Sequence, residues 1–494
     1  MKIKTVLLSL LAVAMLAAGP AYAAPSVKVS GKDVTITESM TDEGFAQVKS
    51  AAQTAEKVVA KKIVDADLEK IVATFPNIKT LEVEGTKELS TLAPLAKLTN
   101  LKKLKLRSEG VSDFTPLAAL TGLESIDVGS SNMAPDLKWM SNMTKLKNVY
   151  IMGGSSLTSF EGLPAIPSLK EIKFVGAAPA DLSPLLVLTG LTSVELTGCQ
   201  IADLTPLTKL ANLDDLSLYG STVKDFSPLA DCAKLKKLMY YAVKDADFST
   251  LGKLTQLTEL TGGLTKLADI SWIENLPNLK MFKMFAEYIT DYTPLTKTNL
   301  EMVQIWNMKE PVGDLAPVGQ TKSLKELKLW SVDGATNSKA LSGLANLEKF
   351  AIVTDYNKKS GEPFDFAAAS GWAKVKDIDV TGAALVNTDG IASAAAVESL
   401  KFSKIIGDQP VSMKFLAKMP TLGYISLNEC KVADFDAIAG CQALKTVSLT
   451  KVDGITSLDA LKKLPNLKSL TVSKGVFSDA DLSGFDTKVK ITQR

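Results

Sequence analysis

The sequence predicts an α/β-type repeat solenoid with a parallel β-sheet on its concave face and short 3-10 or α turns on its convex face. Two observations predict this fold. An apolar L-x-x-L-x-L pattern recurs from about residue 78 onward, at intervals of mostly 22 or 23 residues. An equally regular second half follows, with an aspartate ahead of a serine- or threonine-proline pair. A unit of this length cannot bury its own apolar face, so successive units must stack.

Eighteen strand segments begin at the same position of the apolar pattern. Their first residues are Ile78, Leu101, Leu123, Leu146, Leu169, Leu191, Leu213, Leu235, Leu257, Leu279, Leu300, Leu324, Leu347, Val375, Val397, Leu422, Leu444 and Leu467. Val111–Leu117 and Ile201–Leu207 are examples of the second half. Each unit is therefore expected to form a short strand followed by a capped helical turn.

Residues 1–23 are predicted to be a signal peptide. Lys2 and Lys4 precede an apolar run over residues 6–18, and Ala21 and Ala23 supply the small residues that favour cleavage after Ala23. The apolar run is shorter than the roughly 20 residues that a membrane-spanning helix needs. The sequence also lacks a recognisable lipid or sorting anchor. We therefore expect an exported, soluble protein, periplasmic or secreted, without membrane insertion.

The remaining chain divides into three predicted parts. Residues 24–77 form an N-terminal cap, with a hairpin around Gly31, mostly helical structure over 41–73 and a degenerate first repeat near Leu68. A separate small functional domain is the alternative for this segment. Residues 78–487 form the repeats, and residues 488–494 form a closing strand.

The repeats resemble leucine-rich repeat proteins of the internalin-like type, whose units read L-x-x-L-x-L, then I-x-D-L-[ST]-P-L, then L-[TP]-x-L. The resemblance implies a horseshoe or arc that binds proteins without catalysis, often cell-surface receptors. The chain departs from the family in the position that usually holds asparagine after the strand. That position holds Glu109, Ser131, Cys199, Ser221, Val243, Glu287 and Cys430. Two units are longer, which predicts bulging loops at 355–365 and 404–412.

The composition excludes several kinds of site. The chain has 494 residues and no histidine, which removes Ser-His-Asp and Cys-His nucleophile pairs and most transition-metal sites. Only Arg107 and Arg494 among 56 basic residues are arginine, so guanidinium recognition of phosphate or guanine is nearly absent. We predict no cofactor, no metal and no nucleic-acid partner. The formal charge of +2 comes from the signal peptide, since its removal leaves 54 basic and 54 acidic residues.

Cysteines and recurring aspartates have structural interpretations. Cys199, Cys232, Cys430 and Cys441 fall at inward positions of the repeat and are predicted to be buried free thiols. A set of aspartates precedes the turns, where a carboxylate accepts unpaired backbone N–H groups. These residues are Asp113, Asp181, Asp203, Asp225, Asp247, Asp269 and Asp291.

The tryptophans identify a candidate binding surface. Trp139, Trp272 and Trp372 occupy core positions, whereas Trp306 and Trp330 follow inward residues and should face the concave side. Equivalent positions in neighbouring units form a mainly aromatic row. The row reads Tyr219, Tyr241, Gly263, Phe285, Trp306, Trp330 and Val353, and in C-terminal units it continues as Thr381, Ser403, Asn428, Thr450 and Ser473. The adjoining positions add Met239, Lys283, Gln304 and Lys328, then Met281, Met302 and Glu326.

These residues predict a non-catalytic recognition protein that binds a protein, or alternatively a glycan, through exposed aromatic rings. Loops that cover the rings, or a register slip at Tyr240, Tyr241 and Gly262, would remove this surface. A second hypothesis is an envelope-associated solenoid without a dedicated ligand. A third is a carboxylate-based hydrolase in the N-terminal segment or in the 355–365 loop. The sequence sets no oligomeric state.

Overall fold

The computed structural model describes residues 27–179, 181–243, 246–286, 288–307, 313–330, 335–354 and 362–494. The predicted signal peptide, Glu287 and residues 355–361 of the predicted long loop lie outside this part of the chain. The chain divides into two compact units, Met1–Ala178 and Pro179–Arg494.

Unit 1 contains a sheet in which an antiparallel hairpin is followed by parallel strands. The pairing is antiparallel for β1–β2 and parallel from β2 through β8. The strands are β1 (Val27–Ser30), β2 (Asp33–Ile36), β3 (Lys57–Ile63), β4 (Thr80–Gly85), β5 (Lys103–Arg107), β6 (Ser125–Gly129), β7 (Asn148–Met152) and β8 (Glu171–Val175). The helices are α1 (Asp42–Gln47), α2 (Lys49–Ala52) and α3 (Asp65–Thr74), with 3-10 turns at Ala93–Lys97, Thr115–Ala119, Lys138–Met140 and Gly154–Ser156.

Unit 2 contains a longer sheet that is parallel throughout. Its strands are β9 (Ser193–Thr197), β10 (Asp215–Tyr219), β11 (Lys237–Tyr241), β12 (Glu259–Thr265), β13 (Met281–Ala286), β14 (Met302–Asn307), β15 (Glu326–Trp330), β16 (Lys349–Val353), β18 (Asp377–Thr381), β20 (Ser399–Ser403), β22 (Tyr424–Ala433), β23 (Thr446–Asp453), β24 (Ser469–Val472) and β25 (Lys490–Gln493). Three two-residue strands lie beside it, namely β17 (Phe364–Asp365), β19 (Leu385–Val386) and β21 (Val411–Ser412).

The turns of unit 2 are short. Its α-helices are α4 (Ala316–Gln320), α5 (Asp459–Lys462) and α6 (Asp479–Leu482). Its 3-10 turns are Ser183–Val187, Thr205–Lys209, Ser227–Asp231, Phe248–Lys253, Ser271–Asn275, Thr293–Lys297, Ser338–Gly343, Phe366–Gly371, Thr388–Ser393, Lys414–Lys418 and Phe435–Gly440.

The repeated apolar pattern builds the core between strands and turns. In one repeat, Leu213, Leu216 and Leu218 are buried, and so is Leu207 of the preceding turn. Proline occupies the first turn of many 3-10 segments, where its missing N–H has no helical partner to lose. Each repeat therefore completes its core only against the neighbouring repeats.

The recurring aspartates accept backbone N–H groups, as predicted. In all seven, a carboxylate oxygen lies 2.7–3.0 Å from the backbone nitrogen two residues later. Asp247 is the N-cap of its turn, while Asp113 and Asp203 precede the N-cap by one residue in an Asx-type arrangement. Threonine hydroxyl and backbone hydrogen bonds lower the pKa of Asp113 and Asp203.

The four cysteines are buried thiols that form no disulfide, as predicted; all four lie within the described ranges. Burial raises the pKa of Cys232 to about 11 and that of Cys441 to about 12. The Sγ of Cys441 donates to the carbonyl oxygen of Leu416 at 3.2 Å. These thiols are core residues with little thiolate character.

The prediction for the N-terminal segment missed one strand. Helices occupy most of residues 41–73, as expected, but β3 occupies 57–63 and pairs in parallel with both β2 and β4. Val58 and Ala60 on β3 are fully buried, as are Leu68 and Ile71 of the following helix. The degenerate repeat thus has its own strand, which valine-rich alternation favours over a helix.

Two further expectations were wrong in detail. Glu109 and Ser131 were assigned to the asparagine position, yet both are exposed. The buried hydroxyls of Ser108 and Ser130, one residue earlier, bond the carbonyl oxygens of Leu89 at 3.0 Å and Val111 at 2.6 Å. In the longer repeats, part of the predicted bulges forms the additional ladders β17–β19 and β21–β22.

Candidate functional site

The outward residues of β10 to β16 form three rows across the strands, because the parallel strands pair in the register that the repeat spacing predicts. The row at the carboxyl ends is Tyr219, Tyr241, Gly263, Phe285, Trp306, Trp330 and Val353. The middle row is Ser217, Met239, Thr261, Lys283, Gln304, Lys328 and Ala351. The third row is Asp215, Lys237, Glu259, Met281, Met302, Glu326 and Lys349.

Five rings of the first row contact one another in sequence; we call Tyr219, Tyr241, Phe285, Trp306 and Trp330 the aromatic stripe. Successive ring centroids are 6.0, 5.6, 5.5 and 5.0 Å apart. The interplanar angles are 31° to 50°, so each ring is tilted against the next. Contacts of this kind contribute about 0.5–1.5 kcal/mol per pair beyond simple burial.

Two glycines on β12 make the stripe continuous. A Cβ on Gly263 would lie 2.5 Å from the Cβ of Phe285 and 2.9 Å from a ring carbon of Tyr241. The rings of Tyr241 and Phe285 therefore meet above a strand that presents no side chain between them. On the inward side, the Tyr240 ring occupies the space where a Gly262 side chain would be. The strands stay in register at Tyr240, Tyr241 and Gly262, with Tyr240 inward and Tyr241 outward, and the pairing of β12 with β13 shifts only after Gly263.

The rings are less exposed than the sequence predicts. Tyr219 is 43% exposed, but the other four residues of the stripe are partly buried, because neighbouring rings cover one another. Burial raises the pKa of Tyr241. The indole N–H of Trp330 is buried and meets no acceptor in the part of the chain that the structure describes. Within the stripe, Tyr219 is the most exposed residue.

Methionines and ion pairs lie beside the stripe. Met239 in the middle row is 42% exposed. A groove of about 500 Å³ crosses β12 to β16, with Met281 and Met302 in its lining. Charged residues border this groove and pair with one another. These pairs are Lys237–Glu259 at 3.3 Å, Lys280–Glu301 at 3.4 Å, Lys325–Glu301 at 2.7 Å and Lys328–Glu326 at 2.5 Å.

Sequence reasoning missed Lys280, Glu301 and Lys325, although a signal was present. Each directly follows the first apolar residue of its repeat, so the three must align at the start of adjacent strands. The hydrogen bond from Lys325 lowers the pKa of Glu301. The groove edge is therefore charged but locally neutralised.

The aromatic character ends with β15. Thr381, Ser403, Asn428 and Thr450 continue the same row in register, and Ser473 directly follows β24. The other three tryptophans are core residues, with Trp139 and Trp272 4% exposed and Trp372 fully buried. Among the described residues of this row, the rings thus lie only on β10 to β15 of unit 2.

Acidic residues in the two segments considered for a hydrolase site have structural partners. Asp65 accepts hydrogen bonds from Ser90 and Thr91, and Asp67 accepts one from the backbone of Val64 at 3.1 Å. In the described residues of the long loop, Asp365 accepts the backbone N–H of Ala367 at 2.8 Å. Across the described ranges, no three Cys, Asp or Glu side chains are grouped to hold a metal ion.

Solved structures share this repeated strand-and-turn architecture. The mouse RP105/MD-1 complex aligns at 15% identity over 88% of this chain and 86% of that chain, with a TM-score of 0.56. The TLR13–ssRNA13 complex aligns at 16% identity over 93% of this chain and 80% of that one, with a TM-score of 0.57. The chain has the leucine-rich repeat fold.

An internalin (inlF) from Listeria monocytogenes also aligns with this leucine-rich repeat chain, at 21% identity over 78% of this chain and 93% of that one, with a TM-score of 0.42. No family model and no curated protein matches the sequence. Among the described residues of the leucine-rich repeat chain, no helix has the length and apolar character needed to cross a membrane.

Proposed function

We propose that this leucine-rich repeat protein is an exported, non-catalytic recognition protein that binds a protein ligand through the outward face of β10 to β15. The aromatic stripe is the observation that carries the proposal. Aromatic and methionine side chains dominate the energetics of protein interfaces. Here they occupy one stretch of the sheet, whereas small polar residues fill the same row from β18 onward.

The ring geometry favours a protein over a glycan. A sugar that stacks on an aromatic residue needs an open ring face. Neighbouring centroids only 5.0–6.0 Å apart leave no space for a sugar between two rings. Only Tyr219, at the end of the stripe, is strongly exposed. Apolar side chains of a protein fit the shallow spaces between tilted ring edges.

A nucleic-acid ligand is disfavoured by this chain's residues rather than by its fold, because a structure of the same fold contains single-stranded RNA. Backbone recognition of RNA requires a cationic surface. Beside the groove, Lys280 and Lys325 are paired with Glu301, and in unit 1 Arg107 is paired with Asp127.

The proposal is tested with the double variant Trp306→Ala/Trp330→Ala and the matched variant Thr381→Ala/Ser403→Ala, which changes the same row outside the stripe. Both are used to capture proteins from bacterial-envelope and host-cell extracts. We expect the tryptophan variant alone to lose the ligands that the natural chain retains. Circular dichroism establishes that both variants fold. Equal capture by the folded variants would exclude the stripe as the binding surface.

A structural solenoid without a dedicated ligand is the second candidate. The half-burial of four stripe rings favours it, since these rings already stabilise one another. This candidate predicts that the tryptophan variant loses thermal stability but no captured protein.

A further inference from the structure

The spacing of the stripe rings carries information about the ligand. Consecutive centroids are separated by 5.0 to 6.0 Å. An α-helix advances about 5.4 Å per turn and presents one apolar side chain per turn on a given face. Residues on one face of an extended strand are about 6.7 Å apart. Over four ring intervals a strand falls about 5 Å out of step with the rings, whereas a helix stays in step.

The middle row, beside the stripe, favours a ligand segment with acidic residues on one side. On β11 to β15 the middle row contains Met239, Thr261, Lys283, Gln304 and Lys328, with two lysines and no acid. The acidic residues of these strands lie one row further away, where Glu326 pairs with Lys328. A segment bound on the stripe would therefore have Lys283, and Lys328 with its glutamate partner, along one flank.

We propose that the ligand segment is an amphipathic α-helix that lies across the strands, along the aromatic stripe. Its apolar residues recur at i, i+3 or i+4, and i+7, and acidic residues occupy the flank nearest Lys283 and Lys328. The four separations between successive ring centroids together span about 22 Å, which corresponds to about 15 helical residues at 1.5 Å per residue. This inference rests on the proposed function, because it assigns a ligand class to the same surface.

The test uses three synthetic peptides of equal length. The first has leucines at helical spacing with glutamates on one flank. The second has the same composition rearranged to strict alternation, which favours a strand. The third replaces the glutamates of the first with lysines. Isothermal titration with the full chain is expected to show at least tenfold tighter binding of the first peptide than of the other two.

Two protein variants locate the binding. Trp306→Ala/Trp330→Ala should weaken binding of the acidic helical peptide at least tenfold, while Thr381→Ala/Ser403→Ala should leave it unchanged. Lys283→Glu/Lys328→Glu changes only surface residues and should reverse the preference between the acidic and basic helical peptides. Tighter binding of the alternating peptide, binding of a soluble oligosaccharide panel in place of all peptides, or no reversal would overturn the helix proposal.

The proposed function can survive a failure of this inference. If the tryptophan variant loses captured proteins but the helical peptide binds no more tightly than the alternating one, the surface recognises a protein segment other than a helix. If the tryptophan variant captures the same proteins as the natural chain, the proposed function fails as well.

Discussion

The same row of the sheet is bridged differently in the two units. In unit 1 the row across β4 to β8 is Glu84, Arg107, Gly129, Met152 and Val175. Arg107 extends over Gly129, its Nη2 lying 2.5 Å from Asp127 Oδ1 and its guanidinium 5.3 Å from the Tyr150 ring. In unit 2, Tyr241 extends over Gly263 to the Phe285 ring. In both units, a glycine in the row lets a long side chain cross the next strand and reach the strand after it. In unit 1 the contact is a guanidinium on the Tyr150 ring, and in unit 2 it is the Tyr241 ring on the Phe285 ring.

This contrast separates what stabilises the repeats from what differentiates their surface. Inward leucines occupy equivalent positions in unit 1 and unit 2 and define the strand-and-turn repeat. The outward rows carry no core constraint, so unit 1 has a groove of about 740 Å³ beside Gly129 and Met152, and unit 2 has the aromatic stripe. Surface properties can therefore change along the chain without changing the fold.

The largest expected effect on the free energy of unfolding comes from changing to alanine the two glycines that a long side chain crosses, Gly263 and Gly129. In Gly263→Ala the new Cβ would lie 2.5 Å from Phe285 Cβ and 3.0 Å from its carbonyl oxygen, and backbone must move. We expect a loss of about 2–3 kcal/mol. In Gly129→Ala the nearest atoms are Arg107 Cδ and Met152 Cβ, both at 3.1 Å, and the loss should stay below about 1 kcal/mol. Urea unfolding midpoints measure both, and equal shifts would refute the proposed difference.

Next in size is Arg107→Lys, which removes the planar donor set from unit 1. Arg107 Nη1 also donates to the carbonyl oxygens of Leu106 at 3.0 Å and Asp127 at 3.1 Å, geometry that an ammonium group cannot reproduce. We expect a loss of about 1–2 kcal/mol. The loss should change little with salt, because lysine keeps the positive charge and only the donor geometry is lost. Tyr241→Leu is the matched change in unit 2, and its effect should not depend on salt either, since it removes only ring contacts; urea unfolding midpoints at low and high salt measure both.

The repeats and the rows could be predicted because both follow from fixed periods. Leu213 and Leu216 mark the inward face, and alternation along a strand then places Tyr219 outward. The exposure of the rings could not be predicted, because the tilt of Tyr241 depends on the missing side chain of Gly263, 22 residues away. Similarly, the sequence did not show that Ser108, rather than Glu109, occupies the asparagine position, because this depends on the hydrogen bond from the Ser108 hydroxyl to the carbonyl oxygen of Leu89 in the preceding repeat.

A smaller, stabilising effect is expected where β11 of the stripe ends. Ala242 has a φ of 52°, while the equivalent Gly198 and Gly220 both have a φ of 65°. Left-handed backbone costs a non-glycine residue about 1–2 kcal/mol, partly offset by the greater unfolded freedom of glycine. Ala242→Gly should therefore stabilise the protein by about 0.5–1 kcal/mol. Gly220→Ala, which has space for a Cβ, should destabilise it by a similar amount in the same urea experiment.

The smallest expected effect concerns the turn aspartates, which both units share. It tests whether the two units differ only in their outward rows or also in their turns. Hydrogen bonds to their turns lower the pKa of Asp113 in unit 1 and of Asp203 and Asp291 in unit 2 below the ordinary value of 3.8. A lowered pKa means that the ionised form stabilises the fold. This contribution is complete above the ordinary pKa and is lost as the pH falls through the lowered value.

Acid should therefore weaken both units in the same pH window, below about 4. Asn retains an acceptor oxygen for the turn but does not titrate, so Asp113→Asn and Asp203→Asn should each make the acid-induced decrease in unfolding temperature shallower. Thermal unfolding followed from neutral pH to about pH 2.5 measures the slope. An unchanged slope in both variants would show that the turn aspartates do not couple folding to pH. A change confined to Asp203→Asn would instead extend the difference between the units from their surfaces to their turns.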